Sequence, residues 1–206
     1  MSPTTSTVEQ PGTRVRLVES ASMLFSRHGY AATGVKAVLA AAQAPYGSLY
    51  HFFPGGKQQL GVAAIEHGGE RYRALFESAY PPGTDVVEAT LTSFANAAEL
   101  LESTDYADAC PIATIALEVA SSDEPMREAA ASAFGSWLEV FERSFVAAGM
   151  SPERASEVAV ESFCLLEGAV LLSRTRRSPE PLRIAGRAAA NSVAAALAAE
   201  QNDTTD

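Results

Sequence analysis

A short polar segment near the N-terminus carries residue types that could bind nucleic acid. It reads Pro45-Tyr46-Gly47-Ser48-Leu49-Tyr50-His51-Phe52. Hydroxyl, imidazole and backbone amide groups hydrogen-bond to phosphates and to base edges, and a glycine lets the backbone approach a ligand closely. A short helix of this kind fits the major groove of DNA. We therefore predict a DNA-contacting set of Pro45, Tyr46, Gly47, Ser48, Tyr50 and His51.

The two other residues of this segment have a structural role. Leu49 and Phe52 are three positions apart, so both would face a small core. Tyr50 and His51 could instead pack on the preceding helix. For Tyr50 a mixed role is favoured, with the ring packed and the hydroxyl on a phosphate, because tyrosine combines an apolar body with a polar tip.

The elements that position this segment are helices. Apolar residues recur at helical spacing nearly throughout, alanine is abundant, and no stretch alternates as a strand would. We predict an all-α fold of about nine helices, with Gly29 ending the first, Thr33 capping the second and Pro45 in the first turn of the third. The predicted helices cover residues 13–28, 35–42, 45–52, 57–79, 85–102, 111–120, 124–148, 152–174 and 181–200.

Breaks in the sequence divide the chain into two domains. Residues 13–57 form a helix followed by a helix-turn-helix, and a Pro-Gly-Gly break comes just before Lys57. Residues 58–201 form a larger helical domain. We expect a flexible arm at residues 1–12 and a disordered tail at residues 202–206.

Charge is distributed unequally between these two parts. Residues 1–57 hold five basic and two acidic side chains, whereas residues 58–206 hold 10 basic and 23 acidic ones. A positive N-terminal unit on a negative body fits a protein that places one end on phosphates while the other end is repelled.

Composition excludes several classes of protein and site. No apolar run is long enough to span a membrane, and the first residues lack a signal-peptide pattern, so we expect a cytoplasmic protein with no membrane partner. Cys110 and Cys164 are far apart in sequence and lack a CxxC spacing. The expected state is two reduced, mostly buried thiols, with no metal and no cofactor.

Two stretches of the N-terminal unit resemble the tetracycline-repressor (TetR) family. They are Phe25-Ser26-Arg27-His28-Gly29-Tyr30-Ala31-Ala32-Thr33 and Gly47-Ser48-Leu49-Tyr50-His51-Phe52-Phe53-Pro54-Gly55-Gly56-Lys57. The Ala44-Pro45 pair, the Pro54-Gly55-Gly56-Lys57 turn and Ala109-Cys110-Pro111 are similar to the LmrA/YxaF-like branch. The motifs are specific over residues 13–60 and much weaker beyond.

This resemblance implies a homodimeric repressor that binds double-stranded operator DNA and is released by a small hydrophobic effector. It also implies that Thr33 caps the second helix beside the DNA backbone, and that Lys36 and Lys57 each reach a phosphate. Two residues depart from the family pattern, because Gln43 replaces the usual turn glycine and Tyr46 replaces a cation. The missing cation should lower the salt dependence of DNA binding.

The resemblance places a ligand pocket among the middle helices and a dimer interface on the last two. For the interface, the helices at 152–174 and 181–200 present apolar stripes that include Val158, Leu166, Ile184 and Ala189. These stripes could instead be buried within one monomer. The candidate pocket residues are aromatic or aliphatic, with one thiol and one acid: Phe94, Leu101, Cys110, Ile112, Trp137, Phe141, Phe145, Phe163 and Glu167.

Two other classes of function compete with this prediction. A helical-bundle enzyme would need a metal or nucleophile motif, but the sequence has no Glu-x-x-His or Asp-rich motif, and Gly55-Gly56-Lys57 resembles a phosphate loop only superficially. We therefore predict that the chain is not an enzyme. A dimeric helical interaction protein without ligand sensing is the stronger alternative, and a body lacking a cavity would favour it.

Overall fold

The computed structural model describes residues 12–108 and 110–203, and all nine elements in that part of the chain are helices. The predicted arm lies outside the described residues except for Gly12, and so do residues 204–206 of the predicted tail. The helices are α1 (Thr13–His28), α2 (Val35–Ala41), α3 (Ser48–Phe52), α4 (Gly56–Ala79), α5 (Val86–Ser103), α6 (Pro111–Val119), α7 (Glu124–Ala147), α8 (Pro152–Arg176) and α9 (Glu180–Asp203).

The predicted helix ends are within one or two residues of the observed ones, with two exceptions. α3 begins at Ser48, so the prediction that Pro45 lies in its first turn is wrong. The carbonyl of Pro45 accepts a hydrogen bond from the Ser48 amide at 2.9 Å, which closes a turn ahead of the helix. The predicted disordered tail is also wrong at Asn202 and Asp203, because α9 continues through both.

The N-terminal unit, α1 to α3, shares its core with the body. Leu17 and Phe25 of α1, with Leu49 of α3, are buried in a cluster that continues through α4 and α6 to Trp137 of α7. Burial of this apolar surface drives the packing of the unit. The unit is therefore held on the body by a continuous core.

The body is a helical bundle in which α4 packs along α7, while α5 and α8 pack along α9. The α4–α7 approach is close because Gly69 has no side chain. A Cβ at that position would lie 2.9 Å from the Cβ of Ala133. The same approach brings the indole Nε1 of Trp137 to the carbonyl of Gly69, to which it donates a hydrogen bond at 2.8 Å.

One position in each of the turns that join α1 to α2 and α2 to α3 has a positive φ. Gly29 ends α1 at φ 83°, which confirms the predicted C-cap. Gln43, in the turn after α2, has φ 50°. This is the position at which the family pattern has glycine, because a side chain in the left-handed region is strained. Gln43 therefore holds a conformation that favours glycine, at some cost in strain.

The apolar stripes predicted for dimerisation face inward in this monomer. Val158 and Leu166 of α8 and Ala189 of α9 are buried against the chain's own helices. Of the predicted stripes, Leu172, Ile184 and Ala188 are exposed. The large apolar side chains that α8 and α9 leave exposed are Val160, Leu171, Leu172 and Ile184.

Candidate nucleic-acid interface and ligand cavity

The α2–α3 segment is anchored from beneath by α1 and by its own apolar side chains. Arg16 of α1 donates from Nε to the carbonyl of Ala42 at 2.9 Å, which holds the turn after α2. Leu49 and Phe53 are each 1% exposed and fix α3 on the core, while Phe52 is half-buried. Both predicted core residues of this segment thus pack inward.

The side chains predicted to contact DNA lie mainly on the outer surface of this segment. Tyr46 is 67% exposed and Tyr50 59% exposed. Lys36 is exposed on α2 and has no hydrogen-bond or ion-pair partner among the described residues. Of the remaining predicted residues, Pro45, Gly47 and His51 are exposed and Ser48 is half-buried.

Thr33 does not have the predicted capping role. The N-cap of α2 is Gly34, and no side chain caps that helix. Thr33 is buried, and its hydroxyl donates to the carbonyl of Gly29 at 2.7 Å. A hydroxyl held inside the α1–α2 turn is not available to a phosphate, so Thr33 stabilises the turn.

Lys57 was expected to contact a phosphate, but its ammonium group has partners within the protein. Its Nζ donates to the carbonyl of Tyr30 at 2.6 Å and lies 4.2 Å from the centre of the Tyr30 ring. Burial lowers the pKa of this ammonium, although the Glu118 carboxylate opposes the shift. Lys57 therefore joins the start of α4 to the α1–α2 turn.

Glu118 of α6, which belongs to the body, hydrogen-bonds to the same turn. Its carboxylate accepts from the backbone amides of Tyr30 at 3.0 Å and Ala31 at 2.7 Å. Gly29 permits this contact, because a Cβ there would lie 2.2 Å from the carboxylate. No spacing in the sequence relates Glu118 to residues almost ninety positions away, so the sequence prediction missed it.

A second contact links α1 to the segment that precedes α6. Arg27, at the end of α1, donates from Nε to the Asp108 carboxylate at 2.5 Å, and this bond raises the pKa of Arg27. Asp108 also lines a cavity in the body. The N-terminal unit and the cavity thus share one ion pair.

The cavity has a volume of about 360 Å³ and lies among α4, α5, α7 and α8. A volume of this size suits a small organic molecule. Apolar side chains make up most of its wall, with a few polar groups between them. The lining residues are Arg71, Tyr72, Leu75, Phe76, Ser78, Ala79, Ser93, Asn96, Ala97, Leu100, Leu101, Asp108, Cys110, Trp137, Leu166, Glu167 and Val170.

Four of the predicted pocket residues line this cavity, namely Leu101, Cys110, Trp137 and Glu167. Three of the others belong to neighbouring core instead. Phe94 faces α9, where a Cβ at Gly186 would lie 2.7 Å from its Cβ. Phe141 and Phe145 pack around Tyr80 in a separate buried cluster.

Ile112 and Phe163 also lie outside the cavity wall. Ile112 is fully buried on the α4 side of α6, near Gly68. Phe163 packs behind Trp137, with the two ring centres 5.9 Å apart. Phe163 therefore supports a residue that lines the cavity, and apolar type alone does not distinguish either position from one in the cavity wall.

The sequence prediction missed the contribution of α4 to the cavity. Arg71, Tyr72, Leu75 and Phe76 all line it. Their spacing of three and four residues places them on one helical face. That periodicity was the available signal, but the predicted pocket included no residue from the helix at 57–79.

Polar chemistry in the cavity centres on Glu167. Its carboxylate accepts a hydrogen bond from the Cys110 thiol, and burial raises the pKa of Glu167. Burial together with this carboxylate raises the pKa of Cys110 well above its usual value, so the thiol stays protonated. Burial also raises the pKa of Tyr72 to about 12.

A helix-turn-helix with an exposed polar face, mounted on a helical body, defines a DNA-binding regulator. Residues 17–64 match the family model described as bacterial regulatory proteins of the tetR family. Residues 86–188 match the model of the C-terminal domain of LmrA/YxaF-like transcriptional regulators. The chain belongs to the TetR family of transcriptional regulators, in its LmrA/YxaF-like branch, and it is not an enzyme.

Similar proteins cover nearly the whole chain. The HTH-type transcriptional regulator Rv0196 of Mycobacterium tuberculosis is 37% identical over 191 residues, which are 90% of this chain and 96% of the relative. The HTH-type transcriptional regulator LmrA of Bacillus subtilis is 31% identical over 169 residues, 82% of this chain and 90% of that protein.

Solved structures show the same fold. A TetR transcriptional regulator from Legionella pneumophila superposes with a TM-score of 0.80 at 20% identity, over 90% of this chain and 99% of that one. The reduced form of NemR from E. coli gives a TM-score of 0.77 at 22% identity, over 87% of this chain and 95% of that one. In the described residues, no helix is both long enough and apolar enough to cross a membrane.

Proposed function

We propose that this chain is a homodimeric repressor that a small hydrophobic effector, bound in the cavity, releases from operator DNA. The observation that carries this proposal is the position of α6. Cys110, its N-cap, lines the cavity, and Glu118, near its other end, holds the α1–α2 turn. A change in the cavity can therefore reach the DNA-binding unit through a single short helix.

The proposed DNA contacts come from the exposed face of the α2–α3 segment. Lys36 supplies a charge for a phosphate, while Tyr46, Tyr50 and His51 supply polar groups for phosphates and base edges. Ser48 and the backbone at Pro45 and Gly47 complete the surface. Lys57 and Thr33 act indirectly, because both hold the turn that precedes α2.

The proposed dimer uses α8 and α9. Their exposed apolar residues, Val160, Leu171, Leu172 and Ile184, supply surface that a second copy would cover. A two-fold dimer presents two α3 helices about one DNA turn apart and reads a pseudo-palindromic site. We place this dimer in the cytoplasm, where it would reach DNA.

Repression is the simplest consequence of such binding, since a bound dimer blocks access of polymerase. One relative is named as a repressor, DhaR of Mycobacterium sp., which is 23% identical over 177 residues. Release would follow if the ligand-bound cavity shifted α6 and Glu118, because the two α3 helices would then lose their spacing. The effector only has to bind the released form better than the DNA-bound form.

The proposal is tested by titrating the protein with DNA from the region upstream of its own gene, by fluorescence anisotropy at several salt concentrations. We expect saturable, sequence-selective binding in the nanomolar range. Lys36→Ala should reduce the slope of log affinity against log salt by about two, one for each subunit of the dimer, and Tyr46→Arg should increase it by about two. Arg176→Ala removes an exposed cation from the body and should leave the slope unchanged.

Weak binding that is indifferent to sequence would contradict the DNA-binding half of this proposal. Equal slopes for Lys36→Ala and Arg176→Ala would contradict the proposed face. Lys57→Ala is unsuitable as a test of phosphate contact, because it also removes the hydrogen bond to Tyr30.

A further inference from the structure

We infer that the cavity selects ligands that carry a positive charge on an apolar, planar body, and that Glu167 is the residue that selects for the charge. This inference rests on the proposed ligand-binding function and names the chemical class of the effector. It follows from a half-buried acid without a cation, from aromatic walls, and from the placement of the other charged groups.

Of the two acidic groups in the cavity wall, Glu167 is the one without a counter-ion among the described residues. Among the described residues no Lys, Arg or His pairs with it, and its hydrogen-bond partner is the Cys110 thiol. An ionised carboxylate in an apolar site is unfavourable unless a cation or several donors compensate it. The cavity leaves room for a ligand to bring that cation.

The other charged groups of the cavity are placed differently. Asp108 is already paired with Arg27 from outside the cavity, so its charge is neutralised. Arg71 is an exposed residue of the wall. Its positive charge lowers the pKa of Tyr72 and so opposes the larger effect of burial. An exposed, hydrated arginine attracts an anion less strongly than a half-buried carboxylate in an apolar wall attracts a cation.

The aromatic walls favour the same ligand class. Tyr72 and Trp137 are stacked with ring centres 5.6 Å apart, and Phe76 lies 5.6 Å from the same indole. All three line the cavity. Aromatic faces attract cations and also pack against planar apolar groups.

The test uses three naphthalene probes that share one apolar body and differ in one group: naphthylmethylamine, naphthalenemethanol and naphthoate. Isothermal titration calorimetry of the full chain measures the affinity of each probe. We expect the amine to bind about tenfold more tightly than the alcohol, and the naphthoate to bind more weakly than both. The affinity for the amine should rise as the pH rises through the raised pKa of Glu167, because the carboxyl ionises there.

Glu167→Gln keeps the size of the side chain and removes its charge. In this variant the amine and the alcohol should bind equally well, and the affinity for the alcohol should stay within twofold of the parent. Glu139→Gln, which removes an exposed carboxylate from α7, should retain the tenfold preference.

The outcomes separate this inference from the proposal on which it rests. Equal binding of amine and alcohol by the parent chain would overturn the charge selection and leave the ligand site intact. Tightest binding of naphthoate, lost in Arg71→Ala, would assign an anionic ligand and overturn the inference. Failure of all three probes to bind would overturn both the inference and the ligand-binding half of the proposed function, while the DNA titration would still judge the other half.

Discussion

The DNA-binding unit and the cavity differ in whether their charged groups have partners within the protein. Beneath the DNA-binding face, Lys57 bonds to the Tyr30 carbonyl, Glu118 to two backbone amides and Arg27 to Asp108. In the cavity, Glu167 faces an apolar space with a neutral thiol as its partner.

The difference follows from what each region has to do. A DNA-binding helix must be held in a defined position before DNA arrives, so the groups beneath it are satisfied within the protein. A ligand site must keep some polar or charged groups without a full set of partners until the ligand binds. The stability that Glu167 costs in the free protein is therefore available as binding energy.

The largest predicted effect tests whether the two regions unfold together or independently. Trp137→Ala should lower the free energy of unfolding by about 3–5 kcal/mol, because it removes a fully buried side chain from the core that also contains Leu17 and Leu49. Thermal unfolding followed by circular dichroism should remain a single transition. A separate early transition of either region would show that they fold independently.

Glu118→Ala should have the next largest effect, because it removes the two hydrogen bonds by which the body holds the α1–α2 turn. The amides of Tyr30 and Ala31 should exchange with solvent at least tenfold faster, and the unfolding free energy should fall by about 1 kcal/mol, which corresponds to roughly 2–4 °C in Tm. Hydrogen exchange followed by mass spectrometry measures the first effect.

Glu118→Gln keeps one acceptor oxygen and should give an intermediate change. Glu99→Ala, at an exposed position on α5, serves as the control and should change neither quantity. Unchanged exchange at Tyr30 and Ala31 in Glu118→Ala would remove α6 from the proposed path between cavity and DNA.

Glu167→Gln should stabilise the free protein, in contrast to Glu118→Ala. Because the folded-state pKa of Glu167 is raised, its ionisation costs stability as the pH rises through that value. The variant avoids this cost, so at pH 7.5 its Tm should exceed that of the parent by roughly 2–4 °C. The difference should shrink as the pH falls below the raised pKa, where the parent is neutral too.

Differential scanning calorimetry across this pH range checks the sign. A variant with a lower Tm at neutral pH would mean that the carboxylate already has adequate partners in the free protein, and the comparison between the two regions would fail.

The smallest predicted effect concerns strain inside the DNA-binding unit. Gln43→Gly should stabilise the chain by about 0.5 kcal/mol, because relief of the left-handed conformation outweighs the extra entropy of glycine in the unfolded chain. Gln43→Ala retains a Cβ and should give no gain. Urea titration of the three proteins distinguishes these outcomes, and equal gains for both variants would exclude backbone strain as the cause.

The sequence alone determined the helices and the candidate DNA-binding face. Apolar spacing, glycines and prolines act over a few residues, so they located the helices and the Gly29 turn with little error. The exposed residues of the α2–α3 segment were identified for the same reason. The errors at Thr33 and Pro45 were also local, because either residue type is common at a helix start. In the structure the Thr33 hydroxyl bonds to the Gly29 carbonyl, and the Pro45 carbonyl closes a turn before the helix.

The tertiary structure decided which residues share the cavity and which charges are satisfied. Phe94, Phe141 and Trp137 are all buried aromatics on amphipathic helices, and sequence spacing cannot tell a core-facing ring from one that faces a cavity. The partners of Lys57 and Glu118 are distant in the chain and use backbone atoms that have no signature in the sequence. Helix packing brings them together, because long-range contacts depend on how the helices cross rather than on where each begins.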